Sequence, residues 1–443
     1  MLILGAHTWV DGWFDFQSKR WALIFWMGMG LTILALLAVT YVKRSTQQLK
    51  EDYQLPLLAT SVVLVLTLGL AEIVLRVIAV DDPLGDRIGP VVLRPYDWDA
   101  FVEHNAAIYE RSKHADAFYV GHEQLGWAVG SSRKSADGMY VSSVNGLRSE
   151  KQGEDLLNAP HNTRLALYGD SFMFSEEVSF DDSLQKFLQA EMPQGGQVVT
   201  FGVPGYGIDQ AVRSFELSAS QWRPEVVVLA FIRDDFRRAL NIHTSLKVTW
   251  GIPFSKPRYV FEGSELRTIN DPAFSVDRML DLSQVGELPH LALEEEYFAH
   301  DWQGPLLLGS HLLRFLYSVY PSWDEPTGTK EMTALGGALV NRFLDRAQLE
   351  GRQAIAVYLP SKSDFRENNK EAAQSFLKEL TAIGVNFFDA TDCLLAQVSP
   401  EALYVEGGTH YSREGNRALA GCLSNQLNLE ITEDGNTQKT LSQ

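Results

Sequence analysis

From residue 164 onward, short β-rich apolar runs alternate with longer helical patterns. That rhythm restricts the chain to a parallel sheet with helices on both faces. Strands are predicted at 165–168, 198–203, 226–231, 354–359 and 386–388. Helices are predicted at 183–191, 210–218, 332–349 and 370–383, with a last one following His410 and running through residue 425. A long insertion, about 239–329, separates the third and fourth strands. Inside it, 258–261 and 265–269 flank Gly263 as a predicted hairpin, and 294–296 form an acidic run. In open parallel sheets ligands bind outside the carboxyl ends of the strands, so the insertion either shapes a substrate pocket or serves as a cover. Residues 431–443 are polar and read as a tail.

The other end of the chain is apolar. Residues 21–42 carry almost no charge and end at Lys43 and Arg44, a length that suits a bilayer-crossing helix of roughly 20 residues. A second run begins near residue 55, has no charge through residue 71, and continues past Glu72 and Arg76 to residue 80. Those two charges are four apart and can share one helix face and pair near an interface. The alternative for the second run is a buried helix of the soluble part. A cleaved signal peptide fits poorly, because the first run starts late, is long and lacks a small-residue cleavage site. The expected organisation is a short tail (1–20), a two-helix anchor (21–80), a turn-rich lead-in (81–163) and the α/β domain (164–430). Lys43, Arg44 and Lys50 between the spans point to a cytoplasmic linker and an external C-terminal domain.

The chain has 443 residues and a formal net charge of -18, with no basic run to offset it. This argues against nucleic acid as a partner, since phosphate backbones demand a basic face. The two cysteines, Cys393 and Cys422, have no metal-ligand spacing. Outside the cytoplasm they can form a disulfide; two buried thiols are the other reading. No metal or cofactor is implied.

Four segments carry chemistry. The first strand runs into Gly169-Asp170-Ser171-Phe172, which puts a serine at a strand's carboxyl edge with a helix start beside it. Asp170 and Ser171 also suit a plain helix cap. The second segment, Gly202-Val203-Pro204-Gly205-Tyr206-Gly207, permits close backbone approach, and Gly205 can offer its N–H to a developing oxyanion; an ordinary strand-to-helix turn reads the same way. The third, Ile232-Arg233-Asp234-Asp235-Phe236-Arg237-Arg238, takes a buried strand straight into charge, either a site or a set of surface ion pairs. The fourth, Glu406-Gly407-Gly408-Thr409-His410, places a histidine in a loop before the last helix. A serine nucleophile needs such a base, which can be distant in sequence.

In this order the four segments resemble the SGNH/GDSL hydrolases over most of 164–426. Gln124-Leu125-Gly126-Trp127, Asn145-Gly146-Leu147-Arg148, Lys256-Pro257-Arg258-Tyr259 and the 72–76 stretch are similar to those of membrane-anchored bacterial members. The resemblance implies a three-layer, flavodoxin-like α/β fold preceded by two transmembrane helices. It also implies a serine esterase or O-acyltransferase with Ser171 as nucleophile and His410 as base. The oxyanion donors would be the N–H groups of Ser171 and Gly205 and the side chain at Asp234. The implied substrate is an acyl (acetyl) ester of envelope carbohydrate, met at the outer side of a bacterial inner membrane. No Gly-x-Ser-x-Gly elbow of the α/β-hydrolases is present.

Two positions depart from the family pattern. Asp234 stands where asparagine is usual, and an ionised carboxylate repels an oxyanion, so Asp234 is open to another role, such as holding an arginine that points at substrate. Gly407 stands where an aspartate usually orients the histidine, leaving Glu406 as the nearest acid or a Ser–His dyad. These departures support an alternative function: a catalytically silent relative that binds glycan or organises an envelope assembly.

Overall fold

The computed structural model describes residues 54–246, 252–294, 299–304, 306–319 and 329–427. The first predicted span, 21–42, and the C-terminal tail lie outside these residues. The chain forms two compact units. One comprises residues 1–104, 283–287 and 297–324, the other 105–282, 288–296 and 325–443. The lead-in and the insertion, each expected as a single segment, are therefore both divided between the units.

In the first unit a helix spans Gln54–Ile78. Its stretch Ala59–Ile78 is long and apolar enough to cross a membrane, and none of it is buried within the protein. Its C-terminal end is partly covered, where Leu75 and Ile78 pack against Ile88, Val91 and Leu93. Glu72 and Arg76 pair as their spacing implies, at 2.7 Å. Glu72 also accepts the Ser310 hydroxyl and the N–H groups of His311 and Leu312, at 2.7 to 3.0 Å. It thereby satisfies the first orphan donors of the helix His311–Val319.

The second unit is built on five parallel strands: β1 (Thr163–Tyr168), β2 (Gly196–Thr200), β3 (Val226–Phe231), β4 (Gln353–Tyr358) and β5 (Phe388–Asp389). Their spatial order is β2-β1-β3-β4-β5. This is the flavodoxin-like order. The crossing segments are helices α1 (Leu184–Glu191), α2 (Ile208–Trp222), α3 (Thr329–Leu349) and α4 (Glu367–Ala382), and α5 (Arg413–Leu427) closes the fold.

Side chains alternate across the sheet as the pleat requires. Ala166, Tyr168, Val227, Leu229, Phe231, Ala356 and Tyr358 face α2, α3 and α4 through Phe215, Leu339, Phe343 and Leu380. Leu165, Leu167, Val226, Val228, Ala230 and Val357 face α1 and α5 through Leu188, Leu419 and Leu423. All six residues of β3 are buried. Each fully buried Val or Leu here contributes roughly 1.5–3 kcal/mol, and burial on both faces explains why β3 reads as an unbroken apolar run.

The predicted strands lie within a few residues of the observed ones. The second ends at Thr200 rather than residue 203, because the Thr200 hydroxyl donates to Met173 O and accepts the Gly202 N–H, turning the chain out of the sheet. The predicted hairpin is Arg258–Glu262 paired with Glu265–Ile269. Cys393 and Cys422 form a disulfide, so the buried-thiol reading is set aside. It ties the short helix Thr391–Leu395 to α5.

Candidate active site

At the end of β1, Gly169 and Asp170 lead into a single helical turn, Ser171–Phe174. Asp170 caps that turn, its Oδ1 accepting the Phe172 N–H at 2.9 Å. The capping alternative is thus correct for Asp170, and it leaves the Ser171 hydroxyl available. That hydroxyl lies 2.8 Å from Nε2 of His410, across 239 positions of sequence. The histidine is delivered by a loop pinched between Tyr404 and Tyr411, which form an isolated antiparallel bridge, and its ring rests against Phe172.

The group behind the histidine is not the expected one. Glu406 is exposed, and the carboxylate at His410 Nδ1 belongs to Glu177, 3.1 Å away. Glu177 Oε2 also accepts the N–H groups of Thr409 and His410 at 2.9 and 3.2 Å. Burial alone would raise the Glu177 pKa, but these donors and the His410 ring outweigh it and hold the carboxyl below its usual range. Gly408 leaves room for this carboxylate, since a Cβ at that position would displace Glu177 Oε2. Beside it, Glu176 Oε2 lies 3.4 Å from His410 Nε2. Burial pushes the Glu176 pKa up, and the nearby His410 only partly offsets it.

Both acids sit on a bend that reverses sharply after the nucleophile turn. Ser175 and Glu177 adopt left-handed φ values of 59° and 71°. Such strain persists only where surroundings enforce it, and here the enforcing residue is Arg148. Its buried guanidinium donates to the carbonyls of Phe174, Ser175 and Val178 at 2.5 to 2.6 Å.

The glycine-rich loop is held from the same upstream region. Trp127 donates its indole N–H to Pro204 O at 3.0 Å, and the Tyr206 hydroxyl returns to Trp127 O at 2.6 Å. Gln210 accepts the Gly207 N–H at 3.1 Å and donates to Leu125 O at 2.7 Å. Gly205 has φ 82°, a conformation that suits glycine. Asp209, one residue before Gln210, pairs with Lys256, both side chains being buried. The upstream and insertion motifs therefore bracket the loops that line the cleft.

Asp234 does not stand free to donate. Its carboxylate binds Arg237 at 2.6 Å and Arg238 at 3.1 Å. Burial would raise its pKa, but Arg238 and Arg237 prevail and keep it below the ordinary value. Arg238 is gripped further by Asp235 at 2.8 Å and by Asp170 at 3.4 Å. Ser171, Glu176, Gly205, Asp234, Arg238 and His410 all line one cleft of about 390 Å3 at the carboxyl edge of the sheet. Sequence reasoning brought Ser171, His410, Gly205 and Asp234 to this cleft. It assigned no role to Glu176 and Glu177, whose one local signal is that they are adjacent acids just after the Ser171 turn, and it read Arg148 and Arg238 within motifs without giving either a place at the cleft. Among the described residues no cluster of His, Cys, Asp or Glu is arranged to hold a metal ion.

The fold is a flavodoxin-like α/β sheet that presents a serine in hydrogen-bond contact with a histidine at its carboxyl edge. The four segments, in this order and on this fold, have the pattern of the SGNH/GDSL hydrolases. No family model and no curated protein matches the chain. Similar solved structures include the psychrotrophic esterase EstA from Pseudoalteromonas sp., 13% identical, with 60% of this chain and 100% of that one covered and a TM-score of 0.29. A lipase/acylhydrolase from Enterococcus faecalis is 10% identical over 60% and 95% of the two chains, TM-score 0.29. A GDSL-like lipase from Bacteroides thetaiotaomicron is 12% identical over 60% and 88%, TM-score 0.29. What the chain shares with them is the fold, defined here by the strand order.

Proposed function

We propose that the protein is a membrane-anchored serine esterase or O-acyltransferase that acts on acyl esters of envelope carbohydrate from the outer side of the membrane. The observation that carries this is the continuous relay of Ser171 Oγ, His410 and the Glu177 carboxylate. Ser171 Oγ attacks the ester carbonyl while its proton passes to His410 Nε2. Glu177 holds the proton on Nδ1 and stabilises the imidazolium that forms. The oxyanion meets the backbone N–H groups of Ser171 and Gly205, neither of which is taken by another acceptor among the described residues. His410 then returns the proton to the leaving alcohol. Water, or a second hydroxyl in a transferase, attacks the acyl-enzyme by the reverse route.

The exposed apolar helix supports the membrane anchor. The disulfide supports an oxidising compartment. The carbohydrate substrate follows from the resemblance to membrane-anchored SGNH members. The test is labelling by a fluorophosphonate probe together with turnover of small acetyl esters. Wild type should react, Ser171→Ala should not, and His410→Ala should be strongly impaired. Folded wild-type protein inert to both reagents would overturn the reading. Reporter fusions after residue 80 and within 45–54 should fall on opposite sides of the membrane; both on the cytoplasmic side would reject the two-span arrangement.

A second reading, a catalytically silent glycan binder, has one observation in its favour: the ionised Asp234 in the cleft where a neutral donor is wanted. The same labelling experiment separates the two.

A further inference from the structure

The cleft carries more positive charge than its chemistry uses. Its wall beyond Asp234 is lined by Arg233 after β3 and by Lys362 and Arg366 after β4. None of the three makes an ion pair with a carboxylate among the described residues. Lys362 donates only to the backbone oxygen of Gly408, at 2.8 Å. The acids of the same cleft are engaged elsewhere. Asp234 is shared by Arg237 and Arg238. Glu176 faces His410. Asp364 is buried behind Ser361, accepting its N–H, its hydroxyl and the Tyr358 hydroxyl at 2.7 to 2.9 Å on Oδ2, while its Oδ1 has no partner.

Exposed cations are ordinarily solvated and need no ligand. Here the setting is different. The chain holds 56 acidic against 38 basic residues, so acids are plentiful, yet three cations converge on one concave wall without a carboxylate partner. A cleft lined by one sign of charge focuses its field and concentrates ligands of the opposite sign. Arginine in particular recognises planar oxyanions by two parallel hydrogen bonds.

We propose that this wall is an anion subsite, and that the preferred substrate is an acylated saccharide carrying a fixed negative charge, carboxylate or sulfate, apart from the ester. The inference rests on the esterase reading and specifies its substrate. The sheet also sets the distance. Ser171 follows β1, Arg233 follows β3 and Lys362 and Arg366 follow β4, strands that are successive neighbours. At about 4.8 Å per interstrand step, the strand that leads to Arg233 is one step and the strand that leads to Lys362 and Arg366 two steps from the strand that leads to Ser171. An acetyl group carries no charge, so the anion that meets this wall belongs to the saccharide.

The experiment uses the full-length protein in detergent and three O-acetylated oligosaccharides of equal length: an oligouronide, a sulfated chain and a neutral chain. Deacetylation of an anionic chain should exceed that of the neutral chain at least tenfold in kcat/KM at low salt. The ratio should collapse toward one in 0.5 M salt, because the Debye length falls to about 4 Å, and in the Lys362→Gln/Arg366→Gln variant, whose replaced side chains are both exposed. Whichever anionic chain is preferred identifies the oxyanion. Binding of the same chains to Ser171→Ala protein, followed by calorimetry, reads the subsite without turnover. If no ester is cleaved yet anionic chains bind more tightly than neutral ones, the esterase reading fails and the subsite stands. Equal binding and equal turnover of charged and neutral chains would overturn the subsite, as would a preference that survives both high salt and the double variant.

Discussion

Glu177 Oε1 lies 3.1 Å from Nδ1 of His410, although the two residues come from opposite ends of the α/β unit and Glu177 belongs to the loop that follows the nucleophile. The carboxylate missing at Gly407 is thus supplied from another element. Replacing it tests the relay directly. Glu177→Gln should lower kcat by about 10²-fold or more, the usual scale for disturbing a general base, while Ser171 remains labelled slowly. Gly407 has φ 73° and open space where a Cβ would go, and aspartate tolerates that conformation better than most residues. Glu177→Gln combined with Gly407→Asp should therefore recover part of the lost rate. Wild-type kcat in Glu177→Gln would remove this residue from the mechanism.

Asp234 places a carboxylate in the cleft shared with Ser171, Gly205 and His410, where the proposed reaction develops negative charge. Arg238 retains Asp170 and Asp235 as partners without it. Asp234→Asn removes the repulsion and adds a possible donor, and one oxyanion donor is worth about 10²–10³ in rate. Because the amide must also keep its arginine contacts, the expected gain is severalfold in kcat/KM. A loss beyond tenfold in a folded variant would mean that the charge itself is needed.

Arg148 concerns stability as well as catalysis. Truncation to alanine strands three carbonyls that its buried guanidinium now serves. The expected cost is about 3 kcal/mol or more, read as a lowered denaturation midpoint. Activity should fall even below the melting range, since the 175–177 bend loses what enforces it.

Buried Glu294 offers a pH test. It accepts the N–H groups of Ile242 and His243, each at 2.7 Å. Burial, against those donors, pushes its pKa up to about 7 from 4.5. A raised folded-state value means that its contribution is whole below pH 4.5 and is lost as pH rises through 7, about 3 kcal/mol over that window. Glu294→Gln should gain stability relative to wild type between pH 5 and 8, measured by urea denaturation at each pH. A constant difference between the two proteins would refute the assignment.

The disulfide closes a loop between residues 29 apart. Reducing it should cost about 3–4 kcal/mol on the chain-entropy scale, visible as a lower melting temperature in dithiothreitol but not in a Cys393→Ser/Cys422→Ser variant.

The sequence by itself determined the sheet, because a strand buried on both faces must be apolar throughout, and 226–231 is. It placed the Ser171 hydroxyl, since a strand running into Gly169-Asp170-Ser171 leaves little choice of where that hydroxyl stands, and it singled out His410, which the fold brings to 2.8 Å from it. The 72–76 ion pair was legible from its helical spacing. Tertiary structure alone decided which acid serves His410. Proximity along the chain favoured Glu406, but orientation of an imidazole depends on distance in space, and the left-handed bend at Ser175 and Glu177, imposed by Arg148 from an upstream segment, brings in a different carboxylate. The pairing of Asp234 with Arg237 and Arg238 was legible in the same way as the 72–76 pair, three and four residues along one helical turn, whereas the further grip of Asp170 on Arg238, 68 positions away, depends on the folded chain.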